Sequence, residues 1–274
     1  MECGYLGPKG SYSYLALAEA FPELEPVACE SFIEVLEKVE KEILPYGLLP
    51  VENSTEGAVT AVMDSLLDLK DIVIQGEVTY RIRHHLFNAS GDISRVKYVI
   101  SHPQALEQCR RFFRREYPHV KLIGSESTSA ACLMAKEKGS QYAAVASMWA
   151  GEHNGLKMAS VDIQDNRFNQ TRFVKLGRGK KAPTGMDKTA VAFSFQQDQP
   201  GSLYQILKIF ADENINLSRI ESRPAKQEMG QYIFFIDFHG HQEEEAIREI
   251  LLKLRENTRK LYIFGSFPRS EKPL

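Results

Sequence analysis

Short apolar runs alternate with amphipathic stretches through the first part of the chain. The runs with strand character are 46–51, 71–78, 96–101, 121–125 and 142–147. The stretches with helical periodicity are 11–21, 31–42, 102–117 and 127–138. Alternation of strands and helices is typical of βαβ units. The pattern therefore predicts an α/β fold built mostly from parallel sheets.

A second pattern begins after a segment at 177–188 that is rich in glycine, lysine and proline and has no apolar periodicity. The residues that follow predict the order strand, helix, strand, strand, helix, strand, which is the ferredoxin-like βαββαβ arrangement. A unit of that size can hold its own core. We therefore expect one domain at 1–180, a linker at 181–187 and a second domain at 188–274.

Composition and charge exclude several classes of partner. The chain has 274 residues and a formal net charge of −2, so no large electrostatic field favours nucleic acid or a membrane surface. No apolar run approaches the length of a membrane span, and the N-terminus lacks a secretory signal. The basic run at 110–119 has its arginines interleaved with phenylalanines at helical spacing, which favours a solvated helix over a nucleic-acid site. We expect a cytoplasmic protein.

No metal or cofactor signature is present in the sequence. Cys3, Cys29, Cys109 and Cys132 are widely spaced without a C-x-x-C motif, which favours reduced and packed thiols. The histidines lack the spacing of metal ligands. No phosphate-binding loop or dinucleotide fingerprint occurs. We therefore predict neither a metal nor an organic cofactor.

Small polar residues stand where four predicted strands lead into helices, at 7–13, 52–57, 101–104 and 125–129. Such positions bind ligands in open α/β sheets, and helix N-termini there favour carboxylates. The stretch "DNRFNQTRF" at 165–173 is ambiguous by itself. It fits a surface strand with alternating faces, or a loop that presents a proton donor and an anion-binding group in an apolar pocket. The four polar loops favour the second interpretation.

The motifs "GPKGSYSYLA", "LLPVENSTEG", "SHPQALEQC", "ESTSAA" and "DNRFNQTRF" occur here in the order found in prephenate dehydratases, which this chain resembles. The second domain resembles an ACT domain, with "ESRP" at 221–224. No chorismate mutase-like helical segment precedes Met1, so the resemblance is to the monofunctional form. It implies two α/β lobes like those of a periplasmic binding protein, with substrate in the cleft. The implied lobes are 1–75 with 160–180, and 76–159.

The resemblance implies the conversion of prephenate to phenylpyruvate, carbon dioxide and water. It makes Thr171 the catalytic residue, Arg172 a bidentate ligand for a substrate carboxylate, and Phe173 with Phe168 an apolar wall. Glu126 is the rival proton donor, if burial raises its pKa. Glu56 and His102 are taken as structural. The implied uncharged substrate-binding residues are Ser11, Asn53, Ser54, Gln104, Gln108, Ser127, Thr128, Ser129 and Asn169.

The ACT-like domain implies feedback inhibition by L-phenylalanine and a homodimer or homotetramer formed through these domains. Tyr204 of "GSLY" replaces a valine that is common in the family, which affects the affinity for the effector. Two alternatives stay open: an arogenate dehydratase, and a non-catalytic amino-acid-sensing protein. The implied effector-binding residues are Gly201, Ser202, Leu203, Tyr204, Asn216, Leu217, Ser218, Glu221, Ser222, Arg223 and Pro224.

Overall fold

The computed structural model describes residues 1–195, 199–225, 231–270 and 273–274, and its strands form three sheets. The first sheet has the order β2-β1-β3-β11-β5, with β4 paired to β3. Its strands are β1 (Glu2–Leu6), β2 (Glu25–Cys29), β3 (Tyr46–Asn53), β4 (Gly57–Ala58), β5 (Ile72–Arg81) and β11 (Gln170–Arg178). Its helices are α1 (Tyr12–Ala20), α2 (Phe32–Glu40) and α3 (Thr60–Leu66). Together these elements form the first lobe.

The second sheet forms a second α/β lobe, with the order β10-β6-β9-β7-β8. Its strands are β6 (His85–Asn88), β7 (Tyr98–Ser101), β8 (Lys121–Gly124), β9 (Tyr142–Ala146) and β10 (Lys157–Ser160). Its helices are α4 (Pro103–Gln108), α5 (Arg110–Glu116), α6 (Thr128–Lys138) and α7 (Met148–His153). The core of this lobe consists of two apolar clusters, one on each face of the sheet, since neighbouring strand residues such as Leu86 and Phe87 belong to different clusters.

The predicted two-lobed α/β region is confirmed, but the prediction of mostly parallel sheets is wrong. In the first sheet β11 runs antiparallel to both β3 and β5. In the second sheet β6 runs antiparallel to both β9 and β10. The first sheet is mixed because β11 returns from the second lobe and enters it from the opposite end. Since β5 continues to Arg81, the chain leaves the first sheet at 82–84 rather than at 75.

The helix predicted at 102–117 is divided at Cys109 into α4 and α5. The side chain of Asp165, from the segment before β11, accepts hydrogen bonds from the backbone N–H groups of Arg111 and Phe112. These groups are in the first turn of α5 and have no partner within the helix. A distant carboxylate therefore defines a second helix start that local periodicity does not reveal.

The C-terminal domain has the predicted βαββαβ order and an antiparallel sheet with the strand order β13-β14-β12-β15. Its strands are β12 (Asp187–Ser194), β13 (Leu217–Pro224), β14 (Tyr232–His239) and β15 (Lys260–Pro268), and its helices are α8 (Ser202–Asp212) and α9 (Glu245–Asn257). The two helices bury one face of the sheet through residues such as Phe210 and Leu254.

The other face of this sheet packs on the first lobe. Ala190, Phe235 and Phe267 share one apolar cluster with residues of β3, β5, β11 and α3. The approach is close at Gly265, where an added Cβ atom would lie 2.9 Å from the carbonyl oxygen of Ile74. The C-terminal domain is therefore joined to the first lobe by a continuous core. Among the described residues, no helix is long and apolar enough to cross a membrane.

Candidate active site

A cavity of about 570 Å³ lies between the two lobes. Its walls come from the loop after β1, the end of β3, the crossing at 82–84, the start of α4, the start of α6 and the beginning of β11. The polar loops at 7–13, 52–57, 101–104 and 125–129 all contribute residues, as expected from their positions after strands. The predicted residues that line it are Ser11, Asn53, Gln104, Gln108, Glu126, Ser127, Thr128, Thr171 and Phe173.

Thr171 and Asn53 are paired across β11 and β3. The Nδ2 atom of Asn53 donates to Oγ1 of Thr171 at 2.9 Å. It also donates to Oδ1 of Asn169 at 3.0 Å, while the Oδ1 atom of Asn53 accepts from two backbone N–H groups of its own loop. Because the Thr171 oxygen accepts from Asn53, its own hydrogen is available for donation. The pair therefore presents a hydroxyl donor to the cavity.

Amide side chains extend this arrangement across the cleft. The Oε1 atom of Gln108 accepts from Nδ2 of Asn169 at 3.0 Å and lies 2.9 Å from Nε2 of His84. The Nε2 atom of Gln108 donates to Glu56 at 3.0 Å, and Gln104 donates to the other Glu56 oxygen at 2.6 Å. Both polar atoms of the Gln108 side chain thus have protein partners, so this side chain links Glu56, Asn169 and His84.

His84 is a buried imidazole in this network. Burial lowers its pKa below the ordinary 6.5, and nearby His85 acts in the same direction, against the hydrogen bond to Gln108. The ring is therefore neutral at pH 7, and we assign its proton to Nε2, which faces an acceptor oxygen. Tyr12 packs edge-on against this ring, and burial raises the pKa of the Tyr12 hydroxyl.

Helices α1 and α6 point their N-termini at the cavity. The hydroxyls of their N-cap residues, however, are hydrogen-bonded to the protein backbone. Ser11 accepts from the N–H of Tyr14 and donates to the carbonyl of Leu6, and Ser127 accepts from the N–H of Ala130. The other first-turn N–H groups and the positive ends of the helix dipoles remain for an anion. The hydroxyl of Thr128 has no hydrogen bond to another described side chain or carbonyl. These groups can hold a carboxylate without a cation.

Arg172 does not lie in the cleft, and the prediction that it binds a substrate carboxylate there is contradicted. Successive side chains of a strand point to opposite faces, so Thr171 and Phe173 line the cavity while Arg172 faces the C-terminal domain. Its guanidinium lies 2.5 Å from the carboxylate of Asp237 and 3.1 Å from that of Glu77. Among the described residues, the cavity lining contains no lysine or arginine.

Other predicted residues lie beside the cavity instead of lining it. Ser54 joins the end of β3 to the start of β11, since its Oγ accepts from the N–H of Gln170. Ser129 reaches the Lys9 carbonyl at 3.4 Å, and Asn169 is buried behind Asn53. Phe168, predicted as an apolar wall, is 80% exposed. Glu126 lines the cavity but is exposed, so the burial that the proton-donor alternative required is missing.

Sequence reasoning missed six polar lining residues: Tyr12, Ser13, Glu56, Thr60, His84 and His102. Glu56 and His102 lie within the quoted motifs. Their residue types are equally typical of helix caps and exposed turns, so they were taken as structural. The His102 side chain does cap α4, by accepting from the N–H of Gln104. His84 lies in the crossing between lobes, where no local motif marks it. Only the folded chain brings these residues together.

The predicted effector segments lie in the C-terminal domain. Gly201 caps α8 with a positive φ of 91°, which favours glycine, and Tyr204 is 66% exposed on that helix. The segment 216–224 contains β13, an edge strand with alternating half-buried and exposed residues. Arg223 donates to Asp64 of α3 at 3.1 Å, so it contacts the first lobe. The other predicted residues are placed on the helix start or on this edge.

The described residues contain no cluster of three or more potential metal ligands. All four cysteines are free and buried. Burial raises the pKa of Cys3 and Cys132 to about 12, and that of Cys109 also rises. These thiols therefore stay protonated and pack as apolar groups.

Comparisons with known proteins agree with this geometry. A family model described as prephenate dehydratase matches residues 3–181, and one described as ACT domain matches residues 191–256. The prephenate dehydratase of Methanocaldococcus jannaschii is 39% identical over 96% of this chain and 97% of its own length. The bifunctional chorismate mutase/prephenate dehydratase of Aquifex aeolicus is 39% identical over 98% of this chain and 74% of its own length.

Among solved structures, prephenate dehydratase from Arthrobacter aurescens in complex with L-Phe superposes with a TM-score of 0.89. It is 30% identical in sequence, and the match covers 100% of this chain and 92% of that chain. Two family models in sequence, high-coverage relatives and a matching fold all agree. The chain belongs to the prephenate dehydratase family, with an ACT domain at its C-terminus.

Proposed function

We propose that the protein catalyses the decarboxylating dehydration of prephenate to phenylpyruvate, carbon dioxide and water, in the synthesis of L-phenylalanine. The observation that carries the proposal is the hydrogen bond from Asn53 to Oγ1 of Thr171, which leaves the Thr171 hydroxyl hydrogen free to point into an interlobe cavity. Membership of the prephenate dehydratase family supports the choice of substrate.

In this reaction the ring carboxylate leaves as carbon dioxide and its bonding electrons enter the ring. The hydroxyl on the opposite ring carbon departs with its own bonding pair, and the ring becomes aromatic. Negative charge therefore develops on the leaving oxygen, which needs a hydrogen-bond donor or a proton. Thr171 supplies a donor whose hydrogen bond strengthens as that charge grows, which stabilises the transition state more than the substrate.

Asn53 increases this effect by donating to the same Thr171 oxygen, since a hydroxyl that accepts a hydrogen bond becomes a stronger donor. Phe173 is 1% exposed beneath Thr171 and excludes water from that side. Electrostatic interactions are stronger where water is excluded. Thr171 and Asn53 together are the centre of the proposed site.

The substrate carries two carboxylates, while the described lining residues include no cationic side chain. We place one carboxylate at the N-terminus of α1 and the other at that of α6, which lie on opposite lobes. The two helices have nine and eleven residues. Backbone N–H groups and the Thr128 hydroxyl would bind the carboxylates through hydrogen bonds. Such a site fixes the dianion across the cleft without requiring a metal.

The test is incubation of the purified protein with prephenate and detection of phenylpyruvate, with arogenate assayed in parallel for phenylalanine. We expect turnover of prephenate, and loss of turnover in Thr171→Val. Folded protein that forms no phenylpyruvate would refute the proposal. Ligand binding that is unchanged in Thr171→Val, with no turnover in either protein, would favour an amino-acid-sensing protein instead.

We further propose that L-phenylalanine inhibits the enzyme through the ACT domain, and that the protein is a cytoplasmic homo-oligomer formed through these domains. The relative solved with L-Phe supports the effector. The edge strand β13 leaves backbone groups open for pairing with a second copy. Free buried cysteines fit a reducing compartment. Inhibition of turnover by added phenylalanine tests the effector. The mass of the protein in solution tests the homo-oligomer.

A further inference from the structure

Charged side chains from six strands meet between the first lobe and the ACT domain. The first lobe contributes one residue from each of three strands: Glu52 of β3, Glu77 of β5 and Arg172 of β11. The ACT domain contributes one residue from each of three others: Lys188 of β12, Arg219 of β13 and Asp237 of β14. We call these residues the interdomain ion cluster.

The cluster lies directly behind the active-site pair. Glu52 precedes Asn53 on β3, Arg172 follows Thr171 on β11, and each pair of residues is in register across the two strands. Because side chains alternate along a strand, Asn53 and Thr171 face the cavity while Glu52 and Arg172 face the ACT domain. The cluster and the proposed catalytic residues are therefore opposite faces of the same short strand segment.

Five of the six side chains of the cluster are largely withdrawn from water, whereas Glu52 is 40% exposed. The exposed fraction of the side chain is 12% for Arg172, 1% for Glu77, 4% for Asp237 and 8% for Arg219. Burial alone would lower the pKa of Arg172, but Asp237, Glu77 and Glu52 raise it above its ordinary value, so the guanidinium is charged. Interactions between buried charges are screened little by salt. A displacement of a charged residue in the ACT domain therefore changes the electrostatic energy of its partners in the first lobe.

The contacts of the cluster are incompletely aligned. Arg172 Nε lies 3.1 Å from Glu77 Oε2, yet both atoms are buried without a hydrogen bond of good geometry, as is Oδ2 of Asp237. Arg172 is 3.8 Å from Glu52, and Arg219 is 3.6 Å from the same Glu52 oxygen. Three cations and three anions at such distances can exchange partners. Buried ions with more than one pairing arrangement are suited to discrete alternative states.

The ACT side of the cluster is connected to the predicted effector segment. Arg219 lies on β13, the same strand as Glu221 to Pro224. Arg223, also on β13, is fastened to Asp64 of α3 at 3.1 Å. A shift of this edge strand on effector binding would move Arg219 relative to Glu52.

We propose that the interdomain ion cluster couples the ACT domain to the active site, with Arg172 and Glu52 as positioning residues for Thr171 and Asn53. This inference rests on the proposed function and names the contacts through which its regulation acts. A change in β13 or β14 alters which carboxylate pairs with Arg172. That change rotates the strand segment that carries the Thr171 hydroxyl, and the alignment of Thr171 with the leaving oxygen is lost.

The test uses Asp237→Asn in the full-length protein, with phenylalanine inhibition and phenylalanine binding measured separately. Allosteric coupling commonly changes activity or affinity by about 5–150-fold. We expect phenylalanine to bind the variant nearly as in the wild type but to inhibit it at least about fivefold less at saturation. Arg219→Gln is a second variant on the other ACT strand, should the first fail to fold.

Asp212→Asn is the matched control, since it removes the same charge from the same domain. Asp212 is 56% exposed and pairs with Lys208 on the surface of α8. We expect its inhibition to be that of the wild type. Full inhibition in both folded cluster variants would overturn the proposal.

Hydrogen exchange at the backbone of 52–53 and 171–172 gives a readout that does not depend on turnover. We expect phenylalanine to change the exchange of these amides in the wild type and in Asp212→Asn, but not in Asp237→Asn. A wild-type protein that shows this change without converting prephenate would refute the proposed reaction and support the coupling. Absence of any phenylalanine-dependent change in the wild type would overturn the coupling itself.

Discussion

The side-chain amide of Asn53 donates a hydrogen bond of 2.9 Å to the hydroxyl oxygen of Thr171. Because the oxygen accepts from the protein, the Thr171 hydrogen is free to point toward the cavity. The two residues are 118 positions apart in sequence and are joined by the pairing of β3 with β11. The chemistry proposed for the cleft depends on this pairing.

Thr171→Val should remove most of the activity. Valine has nearly the shape of threonine but no hydroxyl, so the leaving oxygen loses its donor while Phe173 stays packed. Removal of one such donor lowers kcat by about 100- to 1,000-fold in well-studied sites. Steady-state kinetics with prephenate measure the effect. Thr171→Ser is the control and should keep kcat within about tenfold of the wild type, since its hydroxyl is retained.

Asn53→Asp should lower kcat strongly while the fold is kept. The aspartate still accepts from the N–H groups of Thr55 and Glu56. However, its second oxygen accepts where Nδ2 donated, so the Thr171 hydroxyl turns toward the protein. We expect a decrease in kcat of at least about tenfold, measured beside a thermal melt.

Asn88→Asp is the matched control for Asn53→Asp. Asn88 is also buried, and its Oδ1 accepts from the N–H groups of Ser90 and Gly91 in a loop of the second lobe. This variant should be destabilised without a specific loss of kcat. Equal losses of kcat in the two variants would mean that the effect of Asn53→Asp is a general consequence of a buried charge.

Glu56→Gln should lower KM for prephenate. The carboxylate of Glu56 lies in the cleft, accepts from Gln104 and Gln108, and repels a dianion. Removal of one unit charge near the substrate should reduce KM by about fivefold at low salt, and by less at high salt. Glu107→Gln is the control, because it removes the same net charge at the surface. Glu107 lies on α4 and pairs with Arg110 of α5. A rise in KM for Glu56→Gln alone would contradict this role.

His84 should make the protein less stable in mild acid. Burial lowers its pKa in the folded state, so the unfolded chain binds a proton below the ordinary 6.5 while the folded chain resists it. This contribution to the free energy of unfolding is complete above pH 6.5 and decreases as the pH falls below that value. His85 acts in the same direction, because burial lowers its pKa too.

Urea unfolding at pH 8 and pH 5.5 measures this pH dependence. The decrease in the unfolding midpoint between the two pH values should be smaller in His84→Gln than in the wild type. His119→Gln, which changes an exposed histidine, should keep the wild-type decrease. An identical pH dependence in all three proteins would exclude His84 as its source.

Much of the fold could be predicted from local patterns, because strands and helices with one buried face have characteristic periods. The strands at 46–51 and 142–147 and the βαββαβ order were found in this way. The short helix α3 and the strand β6 were missed because their segments are short and have little periodicity. The break at Cys109 was missed because Asp165, which caps α5, is distant in sequence.

Some residues of the candidate site could likewise be predicted from the sequence, and others could not. The polar loops after strands were found because their position in an α/β sheet is implied by the order of elements. His84 and the bridging role of Glu56 could not be found, since each depends on contacts between lobes. Ser11 and Ser127 were assigned to substrate binding through the family resemblance, whereas the structure shows their hydroxyls capping helices.

The sequence by itself determined that Thr171 and Arg172 are neighbours, and in a strand neighbours must face opposite sides. It could not determine which side faces the substrate. That was decided by packing, because the ACT domain covers one face of β11 with Asp237 and the second lobe closes a cavity over the other. Arg172 is buried against the carboxylate of Asp237, and Thr171 faces the cleft.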